Sequence, residues 1–362
     1  MTNIVSEYDS AERRALASLP NTALQAFGAV TFASVGYPFR VHDQSELWRY
    51  IDVMHEGRFE RNLALLKSVS DEELQLAAWL ARGTHDYSVT NFSRPFTGRH
   101  CITRALFQLR GIRRMQSERP GFKVLELGPG SGYLSLLMAK TGYAVDTVEV
   151  AQAFVLHQSM FFSHFLPGAS QVMHQPRQQS ADSTPTAAIR QIPWWVYADH
   201  SRQLHDYDLI TANHALAEFH PESLGYLLRR FGKEHQESFG RSPVIVAEWL
   251  GARVRRYEDV LQQCHEHGWS HEFVEPFYIF RFESETARRQ LDDDLDQRRY
   301  ERQPRKTLKL VTNWVSRRDA NRHKIGQIVQ SENSSLQKLR DVFNSLIPNE
   351  KTPDEVFLWG SK

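Results

Sequence analysis

The chain has 362 residues, of which 41% are hydrophobic and 24% charged, so wholesale disorder is excluded and there is core enough for two or three domains. Lys+Arg 44 against Asp+Glu 43 leaves a net charge of +1, without the basic excess of a nucleic-acid binder. No apolar run approaches the ~18 residues of a membrane span, and two cysteines, Cys101 and Cys264, exclude a disulfide scaffold or a Cys-based zinc site. The N-terminus lacks the basic-then-apolar order of a signal peptide. The expectation is a cytoplasmic protein acting on a small molecule, with neither nucleic acid nor membrane as partner.

In chain order, residues 1–118 read as helical. Leu47, Tyr50, Ile51 and Met54 form a helical stripe behind Ser45. Ser70 and Glu73 are spaced as a capping box, with Leu74, Ala77 and Ala78 behind them and Gly83 as a stop. A further helix is expected over 102–112, and Pro120-Gly121 then breaks the chain.

From Phe122 the pattern changes to short apolar runs alternating with helical segments. The runs are 123–127, 145–150, 207–212 and 243–250, and the helices 134–139, 151–165, 222–231 and 257–267. This alternation predicts an α/β fold with a mainly parallel sheet covered on both faces. Residues 168–191, rich in Gln, Ser, Thr, Ala and Pro, read as a loop excursion, and 273–282 as one or two closing strands. The expected units are a helical region 1–118, a core 119–282, and a charged helical extension 283–362. The extension carries Asp292–Asp294, Arg298 and Arg299, and ends in an amphipathic helix over 335–346. The first region serves as an active-site cover or as a homodimerisation surface, and both readings stay open.

Strand 123–127 runs into Gly128-Pro129-Gly130-Ser131-Gly132-Tyr133 and then a helix. Such glycines permit positive φ and close approach of backbone N–H groups to a ligand at a helix N-terminus. The dinucleotide fingerprint would need glycine at 133, where Tyr133 stands, and no Gly-Lys-Ser/Thr follows to make a P-loop. Glu126 precedes the loop, and Glu149 closes the next strand. A carboxylate there can accept two hydrogen bonds in a fork.

The spacing E-x-G-x-G-x-G resembles motif I of the class I S-adenosylmethionine-dependent methyltransferases. The resemblance implies a Rossmann-like core and S-adenosyl-L-methionine as cofactor. The loop would wrap the methionine part, and Glu149 would grip the ribose. Glu126, Gly128, Gly130, Gly132, Tyr133 and Glu149 form the first half of the implied binding set.

Downstream, Ile192-Pro193-Trp194-Trp195 and Asn213-His214-Ala215-Leu216-Ala217-Glu218-Phe219-His220-Pro221 sharpen the likeness. Together they resemble the bacterial sugar O-methyltransferases of polyether-antibiotic and surface-polysaccharide clusters, over about residues 122–282. That family's pattern has Cys-Glu-Met where this chain has Ala217-Glu218-Phe219, which bears on the substrate more than on the reaction. The resemblance adds Trp194, Trp195 and Asn213 to the cofactor set and implies methylation of a hydroxyl.

A hydroxyl nucleophile needs a base, so His214 is the candidate, with Glu218 orienting it or acting in its place. Glu248, at the end of the fifth strand, is a secondary candidate. Each also has a bland reading, as a structural histidine or as carboxylates paired locally. No spacing singles out a metal-ligand set. The competing functions are N-, S- or carboxyl-methylation of another natural product, and a non-catalytic binding protein on the same fold.

Overall fold

The computed structural model describes residues 4–19, 21, 24, 40–52, 59–116, 122–168, 170–172, 188–198, 205–251, 255–283 and 334–350. Helix α1 (Ile4–Leu16) comes first. Of the stripe behind Ser45, Leu47 and Tyr50 lie in a 3-10 turn, Gln44–Tyr50, instead of an α-helix, with Ile51 at its C-cap; Met54 lies outside the described residues. Asp43 accepts the Ser45 N–H at 2.6 Å, and this short cap tightens the turn. Then come α2 (Phe59–Leu66), α3 (Asp71–Phe92) and α4 (Arg99–Met115).

The capping box at α3 is complete. Glu73 N–H donates to Ser70 Oγ at 3.2 Å, and Ser70 N–H to Glu73 Oε2 at 2.9 Å. Gly83 does not stop this helix, which runs on to Phe92. A Cβ on Gly83 would collide with the Phe165 ring, so the glycine is there for close packing.

The sheet region follows as β1 (Lys123–Leu127), α5 (Tyr133–Lys140), β2 (Ala144–Glu149), α6 (Gln152–Phe165), β3 (Ser170–Val172), β4 (Ile189–Pro193) and α7 (Trp194–Ala198). It continues with β5 (Leu209–Thr211), α8 (Pro221–Arg229), α9 (His235–Phe239), β6 (Val244–Glu248), α10 (Tyr257–Glu266) and the hairpin β7 (Trp269–Val274) and β8 (Phe277–Phe282). A π turn over Arg230–Glu234 joins α8 to α9. The strands lie in the order β3-β4-β2-β1-β5-β6-β8-β7. All pairings from β3 to β6 are parallel, and β8 pairs antiparallel with both β6 and β7. The fold is therefore α/β and Rossmann-like, as the alternation predicts. The stretch expected as a loop excursion supplies β3 and the start of β4.

Strand periodicity divides the core into two faces. Val124, Val145 and Leu209 stand side by side on one face with the helices of the N-terminal region, and Leu125, Ile210 and Ile245 on the other with α1 and α8. The N-terminal helices thus form part of the layers over the sheet: α4 packs on α5, α3 on α6, and α1 on α6 and α7. Of the expected C-terminal extension, residues 284–333, with the acidic and basic cluster at 292–299, lie outside the described residues. Helix α11 (Ser334–Asn344) buries Leu339 and Phe343 in the face that holds α3 and α4.

The capping box fixes where α3 begins, and Arg110 of α4 adds two bonds to the Glu73 carboxylate, at 2.6 and 2.7 Å. Ser70→Ala should lower stability by about 1 kcal/mol, read as a shift of the urea midpoint at constant m.

Candidate active site

The sheet reverses direction of growth at β1, between β2 and β5, and ligands of open parallel sheets sit beyond the strands' carboxyl ends at such a point. The glycine loop lies there. Gly128, Gly130 and Gly132 have φ of 66°, 56° and 83°, a region open to glycine at little cost. Gly128 N–H donates to Val148 O at 2.9 Å, and Gln158 Nε2 donates to Gly130 O at 2.6 Å, so the loop is pinned from β2 and α6. A Cβ on Gly132 would strike the Phe162 ring, whereas one on Gly130 would meet nothing within 4 Å. The loop is packed at its end and open at its middle.

Tyr133 is buried, and its hydroxyl donates to Ile51 O at 2.8 Å. It anchors the segment before α2 to the loop. Cys101 Sγ lies 3.8 Å from Ser131 Oγ, a second tie between the N-terminal region and the loop.

Glu126 and Glu149 flank the loop, both buried. Ser135 Oγ donates to Glu126 Oε2. Glu149 Oε1 accepts the N–H groups of Val150 and Ala151 at 2.8 and 3.0 Å. Burial pushes each carboxyl up to about 7, despite those donors. The nearby Glu149 charge adds to the rise at Glu126, and Glu218 adds to it at Glu149, so three carboxylates face one region. Such a region favours a ligand that brings hydroxyl or ammonium donors, or positive charge.

Trp194 and Trp195 follow β4 at the same edge and are buried. Trp194 Nε1 donates to Glu12 Oε1 of α1 at 2.9 Å. The Trp195 ring meets Tyr8 of α1 edge-on, 5.0 Å between centroids. Arg40 pairs with Glu12, and with Asp9 at 2.8 Å. Gln152, at the start of α6, accepts Val41 N–H at 2.9 Å and donates to Asp9 at 2.8 Å. Tyr8 is fully buried, and its hydroxyl is pushed far up, first by burial and then by charges that include Glu149. Helix α1 therefore closes the β2–β4 side of the site. Glu12, Tyr8 and Arg40 carry no local signal, because their partners are far along the chain.

The β5–β6 side is a polar knot. Asn213 bridges the strands: its Nδ2 donates to Thr211 Oγ1 at 2.8 Å, and its Oδ1 accepts Glu248 N–H at 2.8 Å. His214 adopts φ 58°, uncommon for a side-chain-bearing residue and a frequent mark of functional turns. Its N–H donates to Glu248 O at 3.1 Å, and Gly251, at φ 117°, presses against its carbonyl where no Cβ fits.

The carboxylate beside the His214 ring is Glu248, 3.6 Å from Nε2. Glu218, expected one helical turn on, lies in a turn closed by its N–H to Ala215 O at 2.8 Å, and its charge acts on Glu149. Glu248 is fully buried. Arg104 of α4 grips it through Nη2 and through Nε at 2.8 Å, and Gln108 donates to it at 2.9 Å. Burial raises its pKa, but His214, Arg104 and Gln108 outweigh this and hold the carboxyl below its ordinary range. Arg104 Nη2 also lies 2.9 Å from His214 Nε2. A guanidinium can only donate, so in this contact the imidazole Nε2 is the acceptor. Arg104 Nη1 reaches Asn62 Oδ1 at 3.3 Å. Arg104, Gln108 and Asn62 all went unread in the sequence. Among the described residues no cluster of three or more His, Cys, Asp or Glu could hold a metal ion.

No protein-family model matches the sequence, and no curated protein matches it. Among solved structures the chain is similar to a TehB-like S-adenosylmethionine-dependent methyltransferase from Corynebacterium glutamicum, at 16% identity and TM-score 0.32, over 48% of this chain and 86% of that one. It is similar to the glycopeptide N-methyltransferase MtfA complexed with S-adenosyl-L-homocysteine, at 11% and 0.30, over 49% and 86%. It is also similar to the magnesium protoporphyrin IX methyltransferase of Synechocystis with bound S-adenosylmethionine, at 13% and 0.32, over 67% and 99%. Likeness at this level carries no weight for substrate or chemistry, and the fold stands on the strand order itself.

Removing one partner of a buried ion pair strands the other. Arg104→Ala should destabilise the protein by about 3–5 kcal/mol. Arg104→Ala combined with Glu248→Leu should recover most of that loss, because no buried charge then remains. Denaturant melts of the two variants check this, and equal losses would mean that packing, not charge, is what Arg104 supplies.

Proposed function

We propose that the chain is an S-adenosylmethionine-dependent methyltransferase that methylates a hydroxyl of a small molecule, a sugar or natural-product intermediate. The observation that carries this reading is the open glycine loop set between two buried carboxylates, Glu126 and Glu149. Burial pushes both carboxyls up to about 7, and the cofactor's ribose hydroxyls and positive charge would favour their ionised forms. When bound, the cofactor presents a methyl group on a sulfonium as the electrophile.

The chain's own residues divide the remaining work. Gly130, at the open middle of the loop, leaves room for the methionine part, and Glu149 would accept the two ribose hydroxyls in a fork. Trp194 and Trp195, backed by Tyr8 and Glu12, wall the opposite side and exclude water. Asn213 fixes the turn that presents His214. As general base, His214 would take the acceptor's proton at Nε2. Arg104 would give up that nitrogen and keep its two contacts with Glu248. Glu218 adds negative charge that helps draw the positive cofactor in. A hydroxyl acceptor favours this arrangement because it needs a base, and an amine or thiol needs less.

Two measurements test the reading. The ordinary Glu pKa is near 4.5 and the folded value for Glu149 is about 7, so the folded apoprotein holds extra protons between those values. Its stability should therefore fall as pH rises from about 4.5 to 7. Cofactor binding should release protons near neutral pH and weaken as pH drops from 8 to 6, seen calorimetrically in buffers of different ionisation enthalpy. Glu149→Gln should stabilise the apoprotein at pH 8 yet weaken cofactor affinity at least about tenfold. Unchanged affinity in a folded variant would remove Glu149 from the site.

His214→Ala should lower kcat by about 10²–10⁴-fold and leave cofactor affinity nearly intact. Product mass spectrometry should identify an oxygen as the methylated atom. Near-normal turnover would move the base to Glu218 or the acceptor to nitrogen or sulfur.

A further inference from the structure

We propose that Gln158 of α6 and Gln191 of β4 are positioning residues, two side-chain amides in series that set the orientation of the Gly130–Ser131 peptide and with it the cofactor affinity of the glycine loop. This role rests on the cofactor reading above and adds to it two residues that neither the loop motif nor the strand ends single out.

Both side chains are buried. Gln191 Nε2 donates to Gln158 Oε1 at 3.1 Å and to Val155 O at 3.3 Å. Gln158 Nε2 in turn donates to Gly130 O at 2.6 Å. A side-chain amide has one accepting and one donating end. Gln191 occupies the accepting end of Gln158, so the donating end faces the loop, where it can hold only an acceptor. The peptide that follows Gly130 is planar and trans, so a carbonyl fixed toward α6 turns the Ser131 N–H the opposite way. Gly130 sits at φ 56°, with nothing within 4 Å of where a Cβ would stand. Its own N–H is one of the backbone groups that favour the ionised form of Glu149. The residue at the open middle of the loop is thus held at its carbonyl by Gln158 and acts on Glu149 through its N–H.

Two features separate this arrangement from plain packing. Gln191 Oε1 is buried without a hydrogen-bond partner among the described residues. An orphaned buried acceptor is a cost. Turning the amide over would set Oε1 against two other acceptors, Val155 O and Gln158 Oε1, so the orphan is the consequence of donating to Gln158. The second feature is the Gln158 stem, whose Cγ lies 3.3 Å from where a Cβ on Gly132 would stand. The stem already fills the space beside the loop, and the amide beyond it supplies direction.

The test uses the full chain as wild type, Gln158→Met, Gln191→Met and the double variant, each titrated calorimetrically with S-adenosylmethionine and melted in urea. Methionine keeps the length and bulk of the side chain and removes the amide. Each single change should weaken affinity by about three- to tenfold. Gln191→Met should be as stable as the wild type or more so, because the orphaned acceptor is gone. The double variant should bind no more weakly than Gln158→Met, because Gln191 acts only through Gln158. Should Gln158→Met fail to fold, Gln191→Met decides alone. Wild-type affinity in a folded single variant, losses that add in the double variant, or a loss in Gln191→Met that comes only with lost stability would overturn the relay and leave the cofactor reading standing. No binding by the wild type would overturn both.

Discussion

Glu248 ends a central strand with no access to water, and its charge is met by Arg104 and Gln108. Both come from a helix that precedes the first strand. A buried carboxylate without its partner costs several kcal/mol, so α4 cannot leave the sheet edge without exposing that cost. The same guanidinium reaches His214 and Asn62, and Asn62 Nδ2 donates to His100 O at 3.4 Å. One ion pair thereby sets the position of the β5 turn, of α2 and of the first turn of α4. The strained φ of His214 persists because Glu248, Asn213 and Gly251 hold the turn from three sides.

The other side of the site runs on the opposite principle. Glu126 and Glu149 are buried without a cation among the described residues, and their carboxyls are pushed up to about 7. At the β5–β6 edge the protein meets its buried charge with a guanidinium; at the glycine loop a hydroxyl and backbone N–H groups meet the two carboxylates. The first arrangement gives rigidity, and the second lowers stability as pH rises toward the raised pKa values. Both lie at the carboxyl edge of one sheet, so the two carboxylates and the fixed His214 turn share that edge.

What could be read from the sequence was what local rules govern. The strand–glycine–helix passage, the acidic residue closing β2 and the Ser70–Glu73 capping box all depend on residues within one βα unit or one turn. The site's partners do not. Arg104 lies 144 residues from Glu248, and Glu12 lies 182 from Trp194. A buried ion pair leaves no periodic trace, and a lone Arg on a helix reads as solvated. Two local readings also gave way to packing and capping. Gly83 looked like a helix stop because glycine disfavours helix, but the Phe165 ring needs the room. Glu218 is expected to orient His214 or act in its place, but the left-handed φ of His214 turns the chain, and the carboxylate beside its ring is Glu248.

Helix α1 shows how an extension becomes part of a site. Its apolar residues Val5, Tyr8 and Ala11 are buried in the sheet's own core, so that face already has an intramolecular partner. Its polar residues are equally committed: Glu12 holds the Trp194 indole and Arg40, and Asp9 holds Gln152 and Arg40. The two tryptophans offer large flat surfaces whose polar edge must be satisfied when buried. Glu12 provides that partner for Trp194, and Tyr8 packs Trp195 edge-on. Withdrawing α1 would leave an indole N–H without its acceptor and open the β2–β4 edge, next to Glu149, to water. Water there would hydrate the carboxylate, lower its raised pKa and weaken its demand for ligand donors. The helix at the start of the chain thus sets the electrostatics of a carboxylate at the end of the second strand.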